Sequence, residues 1–157
     1  MTRAVETMVL TDVAGTSGTQ TQAYSTCLLQ TLRTCITKLE IAGYAPGAIV
    51  LHPTDGEGVE LALSSAAVEH LSLPYDPATR RLFGVPVATT VSATAGTGHV
   101  VAQGAVVVDT DTTGISVQWS ESVGDSFKFN EVICRVEGRF GTSVLAPLGV
   151  VAADLTA

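Results

Sequence analysis

The strongest periodic pattern lies in Ser25–Ala42, where Leu28, Leu29, Leu32, Cys35, Ile36 and Leu39 recur at helical spacing. At 100° per residue they fill about 120° of the wheel, and Gln30, Arg33, Thr34, Thr37 and Lys38 take the other side. Ser25 or Thr26 can cap the start, and Gly43 suits the position just past the end, where glycine accepts a left-handed backbone. Ala48-Ile49-Val50-Leu51 is a short unbroken apolar run, the mark of a strand covered on both faces. His52-Pro53 ends it, because proline cannot donate to a ladder and its ring fixes φ. Thr54 with Glu57 three residues on predicts a capping box for a second helix, Thr54–Ser65, along which Val59, Ala62 and Leu63 follow at helical spacing.

The remaining pattern is extended. Arg3–Leu10 alternates moderately and reads as an edge strand, followed by a Gly/Thr/Ser-rich connection over Thr11–Gln22. Residues 66–82 are turn-rich, punctuated by Pro74, Asp76 and Pro77, with Arg80 and Arg81 as the main local basic charge. Leu82–Thr90 reads as a strand in which Pro86 implies an edge or a bulge. Ala93–Gly98 is a turn, and His99–Ala102 and Ala105–Val108 are short strands broken by Gly104. Gly114–Ser120 puts Ile115, Val117 and Trp119 on one face. After a polar turn at Glu121–Asn130 comes a long strand, Glu131–Leu145, with Gly149–Leu155 continuing past Pro147. These elements predict an α+β fold: a mixed β-sheet of the strands near 48–52, 82–90, 99–108, 114–120 and 131–145, flanked by two main helices.

Composition sharpens this reading. The 157 residues suit one domain with a substantial core. With 46% hydrophobic and only 15% charged residues, some apolar surface is expected to be covered by partners. A net charge of −7, with Lys38 and Lys128 the only lysines, argues against a nucleic-acid surface. Three cysteines without paired spacing do not describe a disulfide framework. Cys27 and Cys35 would stand about 12 Å apart along one helix, too far to bond. Cys35 lies inside the apolar stripe and Cys27 off it, as an exposed thiol. The opening MTRAVETMVLTDV has no signal-peptide core, and no run approaches the roughly 18 apolar residues of a membrane span.

Catalytic signatures are sparse. Gly96-Thr97-Gly98 lacks a third glycine and precedes a strand, so it is not a dinucleotide fingerprint. There is no G-x-S-x-G elbow and no P-loop, and His52, His70 and His99 have no ligand spacing, so neither a cofactor nor a metal is expected. Asp109 and Asp111 read as a solvated acidic turn. One enzymatic alternative is a small soluble enzyme with a pocket near His52, Asp55 and Glu57, which requires the three to converge.

The strand-to-helix corner is more particular than its periodicity. An apolar strand followed by His52, Pro53, Asp55, Glu57, Val59 and Leu61 resembles the major capsid proteins of tailed bacteriophages, those of the Hong Kong 97 fold. Phe83, Gly84, Pro86 and Val87 match that family's aromatic-Gly-x-Pro-Val strand, and Phe127 and Asn130 its element before the last long strand. The resemblance covers roughly residues 10–156 and departs at Gly56, where the family usually carries tryptophan. If a bulky side chain is missing there because its packing partner is, Gly56 should be exposed.

By that resemblance, 1–22 is a strand and loop lead-in, 23–125 corresponds to the axial domain, and 126–157 is a tail strand returning to the peripheral domain. The N-terminal arm, the extended hairpin loop and the long spine helix of a full subunit have no counterpart. The implied role is structural rather than enzymatic: a phage or prophage capsid subunit, assembled in the bacterial cytoplasm, that packs around capsomer axes. An encapsulin-like nanocompartment shell is the close alternative. The implied partners are other copies of the chain, with no sequence-specific nucleic acid and no membrane, and the isolated chain should be a monomer or weak oligomer. The loop bearing Glu69, His70, Tyr75, Asp76, Arg80 and Arg81 would face the axis. Some capsids of this fold join a lysine to an asparagine with a glutamate as base, and Asn130 and Glu137 match the offset of that pair. Such a reaction needs a desolvated glutamate.

Overall fold

The computed structural model describes residues 9–10, 13, 16–65, 75–76 and 79–156. The Arg3–Leu10 strand falls mostly outside them, and Val9 and Leu10, which are described, are helical.

The first helix, α1, spans Leu28–Ile41 and buries Thr31, Leu32, Cys35, Ile36 and Leu39, close to the stripe read from the sequence. Its start differs from expectation. Cys27 occupies the cap position in extended conformation without a side-chain cap, and the capping work falls to Thr31. The buried Thr31 hydroxyl donates to the Cys27 carbonyl and accepts the Ser25 N–H, each at 3.0 Å. At the other end Gly43 is left-handed (φ 83), with Gly43 N–H on the Glu40 carbonyl and Tyr44 N–H on that of Leu39. That pair of bonds is a Schellman stop.

β2, Pro46–Leu51, runs directly into α2, Pro53–Ser65. The expected Thr54–Glu57 capping box does not form, because proline sets the first helical position one residue earlier. His52 takes the cap: its carbonyl accepts the Asp55 and Gly56 N–H groups at 3.0 Å, and its Nδ1 accepts the Thr54 N–H at 3.3 Å. A 2.7 Å hydrogen bond between His52 Nδ1 and the Thr54 hydroxyl closes the turn.

The other strands are β1 (Gln20–Gln22), β3 (Tyr75–Asp76), β4 (Arg81–Leu82), β5 (Val85–Thr89), β6 (Thr97–Ala102), β7 (Val106–Ser120), β8 (Ile133–Val144) and β9 (Val150–Asp154). Seven form one sheet in the order β1-β9-β6-β2-β5-β4-β3. It is mixed, as expected: β2 runs parallel to β5 and β1 to β9, whereas β6 is antiparallel to both β2 and β9. Ile49 stands opposite Val100 on one side and Val87 on the other. A bulge interrupts the β2–β6 register between Pro46 and Ala48. Gly47 is required there, since a Cβ would stand 2.9 Å from the Gln103 backbone nitrogen. α1 packs across β9, β6 and β2, and Leu32, Ile36, Leu39, Ile49, Leu51, Val100, Val150 and Val151 are sealed from solvent in one core cluster.

Two strand assignments need correction. The segments 114–120 and 131–145 are not in the main sheet; β7 and β8 pair with each other as a two-stranded ribbon joined through a short helix, α3 (Ser126–Phe129). In their place β9 and β1 complete the main sheet. Alternation marks a strand but not its partner, and β9 carries the apolar pair Val150-Val151 that fits a buried position. The chain forms two compact units, 1–107 with 143–157, and 108–142.

Cys35 is fully buried, and burial pushes its thiol up to about 11 despite the opposing charge of Lys38. Cys27 and Cys134 are exposed. A thiol reagent such as Ellman's should therefore modify Cys27 and Cys134 rapidly in the native protein and Cys35 only after unfolding. Rapid modification of Cys35 without denaturant would show that the core is open.

His99 lies on β6 between Val50 and Ala152, is buried, and its Nδ1 makes no hydrogen bond. Burial lowers its pKa from the ordinary 6.5, so the unfolded chain takes up the proton first. Stability should be fully present above pH 6.5 and fall as the pH drops below it, by at most about 1.4 kcal/mol per pH unit from this group. Urea titrations of the wild type and His99→Val across that range check this, with a flatter profile expected for the variant.

Candidate functional site

The corner that drew attention in the sequence is also where the structure gathers polar groups. Pro53 begins α2 and points Asp55 across to the turn before β6, where its Oδ2 accepts the Gly96 N–H at 2.9 Å. Asp55 thus links the end of β2 to the start of β6 and also sits in the first turn of α2, where a negative charge is favoured. Glu57 is exposed. The three residues of the enzymatic alternative do not converge: His52 caps, Asp55 spans a turn, and Glu57 alone of them lines the neighbouring cleft.

That cleft holds about 230 Å³. Leu51, Val59 and Val87 form its apolar part, with Glu57, Glu60 and Arg80 among its polar lining. Gly56 also lines it and is half-buried, not open as expected. A Cβ at 56 would stand 3.1 Å from Thr89 Cγ2, so close packing of α2 against β5 itself favours glycine there.

Beside the cleft the β4–β5 hairpin turns through Phe83 and Gly84, both left-handed at φ 52 and 80. That geometry suits the twist of the strands but is costly for phenylalanine. Two contacts hold it. Arg81 Nη1 donates to the Gly84 carbonyl at 3.0 Å, and the Arg33 guanidinium stands 5.8 Å from the Phe83 ring centre, within cation–π range. Arg33 also lies 3.7 Å from Glu40. Arg80 is itself left-handed (φ 48), and its carbonyl accepts the Val87 N–H at 2.8 Å, which accommodates the missing donor of Pro86.

Of the six loop residues singled out, Glu69 and His70 lie outside the described residues. Tyr75 and Asp76 pair with Leu82 and Arg81 in β3–β4, and Arg80 and Arg81 are exposed. Asn130 and Glu137 fall in the 108–142 unit. Asn130 ends α3 in the left-handed conformation (φ 53) that asparagine tolerates well. Glu137 is exposed and 3.4 Å from Arg135, whereas the cross-linking chemistry needs a desolvated carboxylate. Both lysines are engaged, Lys38 with the Thr21 carbonyl at 2.7 Å and Lys128 with Asp125 at 2.8 Å. Among the described residues no His/Cys/Asp/Glu group is placed to hold a metal, and no helix is long and apolar enough to cross a membrane.

Sequence reasoning missed the reach of Asp55 to Gly96 and the stacking of Arg33 on Phe83. Both join distant segments. The only local signal was a non-glycine residue placed before Gly84 in a hairpin.

No protein-family model matches the sequence, and no curated protein matches it. Solved structures do. The virus-like particle from Pyrococcus furiosus aligns over 97% of this chain at TM-score 0.68 and 14% identity. The holo-SrpI encapsulin complex from Synechococcus elongatus aligns over 99% at TM-score 0.69 and 13% identity. In each case the chain spans 61% of the matched protein. The fold is thus the Hong Kong 97-like α+β fold of shell-forming proteins.

Replacing Asp55 by alanine leaves the Gly96 N–H without its acceptor and should cost about 1–2 kcal/mol in urea unfolding. Asp55→Asn keeps an acceptor and should lose less. An Asp55→Ala chain as stable as the wild type would mean that this bond does not hold the corner.

Proposed function

We propose that this chain is a subunit of a self-assembling protein shell. The observation that carries the reading is the correspondence with two shell-forming proteins over almost its whole length. A charge-poor composition fits a surface meant to be covered by other copies. In this reading the chain works by shape, the unit of 1–107 and 143–157 packing side by side around a symmetry axis, with the exposed Arg80–Arg81 turn directed to it. No catalytic step is assigned.

Two shells of this kind differ in content. A phage or prophage capsid encloses DNA, and a nanocompartment encloses protein. The likeness to an encapsulin complex and the net charge of −7 favour the nanocompartment. The protein-to-nucleic-acid absorbance ratio of particles isolated from an expressing cell separates the two.

About two-fifths of the length of each matched shell protein has no counterpart in this chain. The 157-residue chain alone should therefore be a monomer or small oligomer at micromolar concentration, with five- or six-membered rings in negative stain only when concentrated. Arg80→Glu with Arg81→Glu should diminish the rings. A chain that forms no rings at any concentration would contradict the axial packing, and regular closed shells from it would show that the extra length is dispensable.

A further inference from the structure

The cleft beside α2 combines an apolar wall with two opposite charges. Leu51 and Val59 form the deep part of that wall, at 0% and 2% exposed, and Val87 is half-buried. Gly56 lines the cleft with no side chain to fill it. The volume of about 230 Å³ matches that of about eight waters in the liquid, the scale of one small molecule. Glu57 enters the lining from α2 and Arg80 from the turn ahead of β4. Both are exposed, and among the described residues neither side chain makes an ion pair or a hydrogen bond. The segments that carry them are fixed: Glu57 rides on the helix, and the Arg80 backbone is left-handed (φ 48) with its carbonyl on the Val87 N–H. The cleft thus offers a carboxylate, a guanidinium and an apolar wall, with the two charges not spent on each other.

We propose that this cleft binds a free α-amino acid with a compact aliphatic side chain. The Glu57 carboxylate accepts from the ammonium, and the Arg80 guanidinium donates to the ligand carboxylate, a pairing its planar fork suits. The side chain lies on Leu51, Val59 and Val87, and a few polar groups around an apolar wall are the usual make-up of a small-molecule site. Glu60 also lines the cleft and adds to the negative field at the ammonium end. A ligand with one charge leaves the other cleft charge unmatched, and a purely apolar one leaves both. A zwitterion has no net charge, so the −7 of the chain does not repel it. Helix, strands and turn all belong to the unit of 1–107 and 143–157, so the site does not depend on assembly.

Titration of leucine into the dilute, isotope-labelled chain, followed by amide NMR shifts, tests the proposal without any need for rings or shells. Leucine should move the amides of Gly56, Val59 and Val87 and saturate with a Kd on the order of 1 mM. Isocaproate, which lacks the ammonium, and isoamylamine, which lacks the carboxylate, should each bind about tenfold more weakly. Glu57→Gln should weaken leucine about tenfold and leave isocaproate unchanged, and Arg80→Gln should weaken leucine as much and leave isoamylamine unchanged. Unshifted amides in β2, β6 and β9 report that each variant is folded. No saturable shift up to high millimolar leucine overturns the proposal, as do shifts confined to other segments. Equal affinity for leucine, isocaproate and isoamylamine also overturns it, since the cleft would then be an apolar slot that reads neither charge.

Discussion

The main unit depends on β2. This six-residue strand is held by antiparallel bonds to β6 and parallel bonds to β5, and it buries Ile49 and Leu51 against α1 and α2. Within it, Gly47 admits the Gln103 backbone at the bulge. Its far end passes through His52 into α2 with no intervening loop, so strand and helix directions are set together. Asp55 then binds Gly96 and fixes where β6 begins. Local chain chemistry at 52–55 thereby sets a long-range register, which gives a physical reason for a proline, an acid and a capping residue in this order.

Much of this was legible in the sequence. The α1 stripe, the buried strand at 48–51 and the proline stop rest on local periodicity and residue type. These survive any tertiary arrangement. What was not legible was pairing. Nothing in Ile115-Ser116-Val117-Gln118-Trp119 distinguishes a strand of a larger sheet from one arm of a free ribbon, because the alternation is the same in both. Likewise Val150–Asp154 reads as an extension of a preceding strand, yet it lies between β1 and β6. The cap residues shifted by one or more positions for a similar reason: Pro53 and Thr31 outcompete the Ser/Thr candidates through geometry that only the folded chain supplies.

The two units also differ in how they are stabilised. The main sheet has a sealed apolar centre with a helix across it, whereas the ribbon of 108–142 presents its large apolar residues to solvent. Burial of apolar surface is the main favourable term in folding, and within the chain it is concentrated in the first unit.

Hydrogen exchange read by mass spectrometry at low and high protein concentration tests this division most directly. Amides of β2, β6 and β9 should be strongly protected at both concentrations, and those of 108–142 should exchange much faster. Ribbon amides protected as well as those of β6 in the dilute monomer would contradict it.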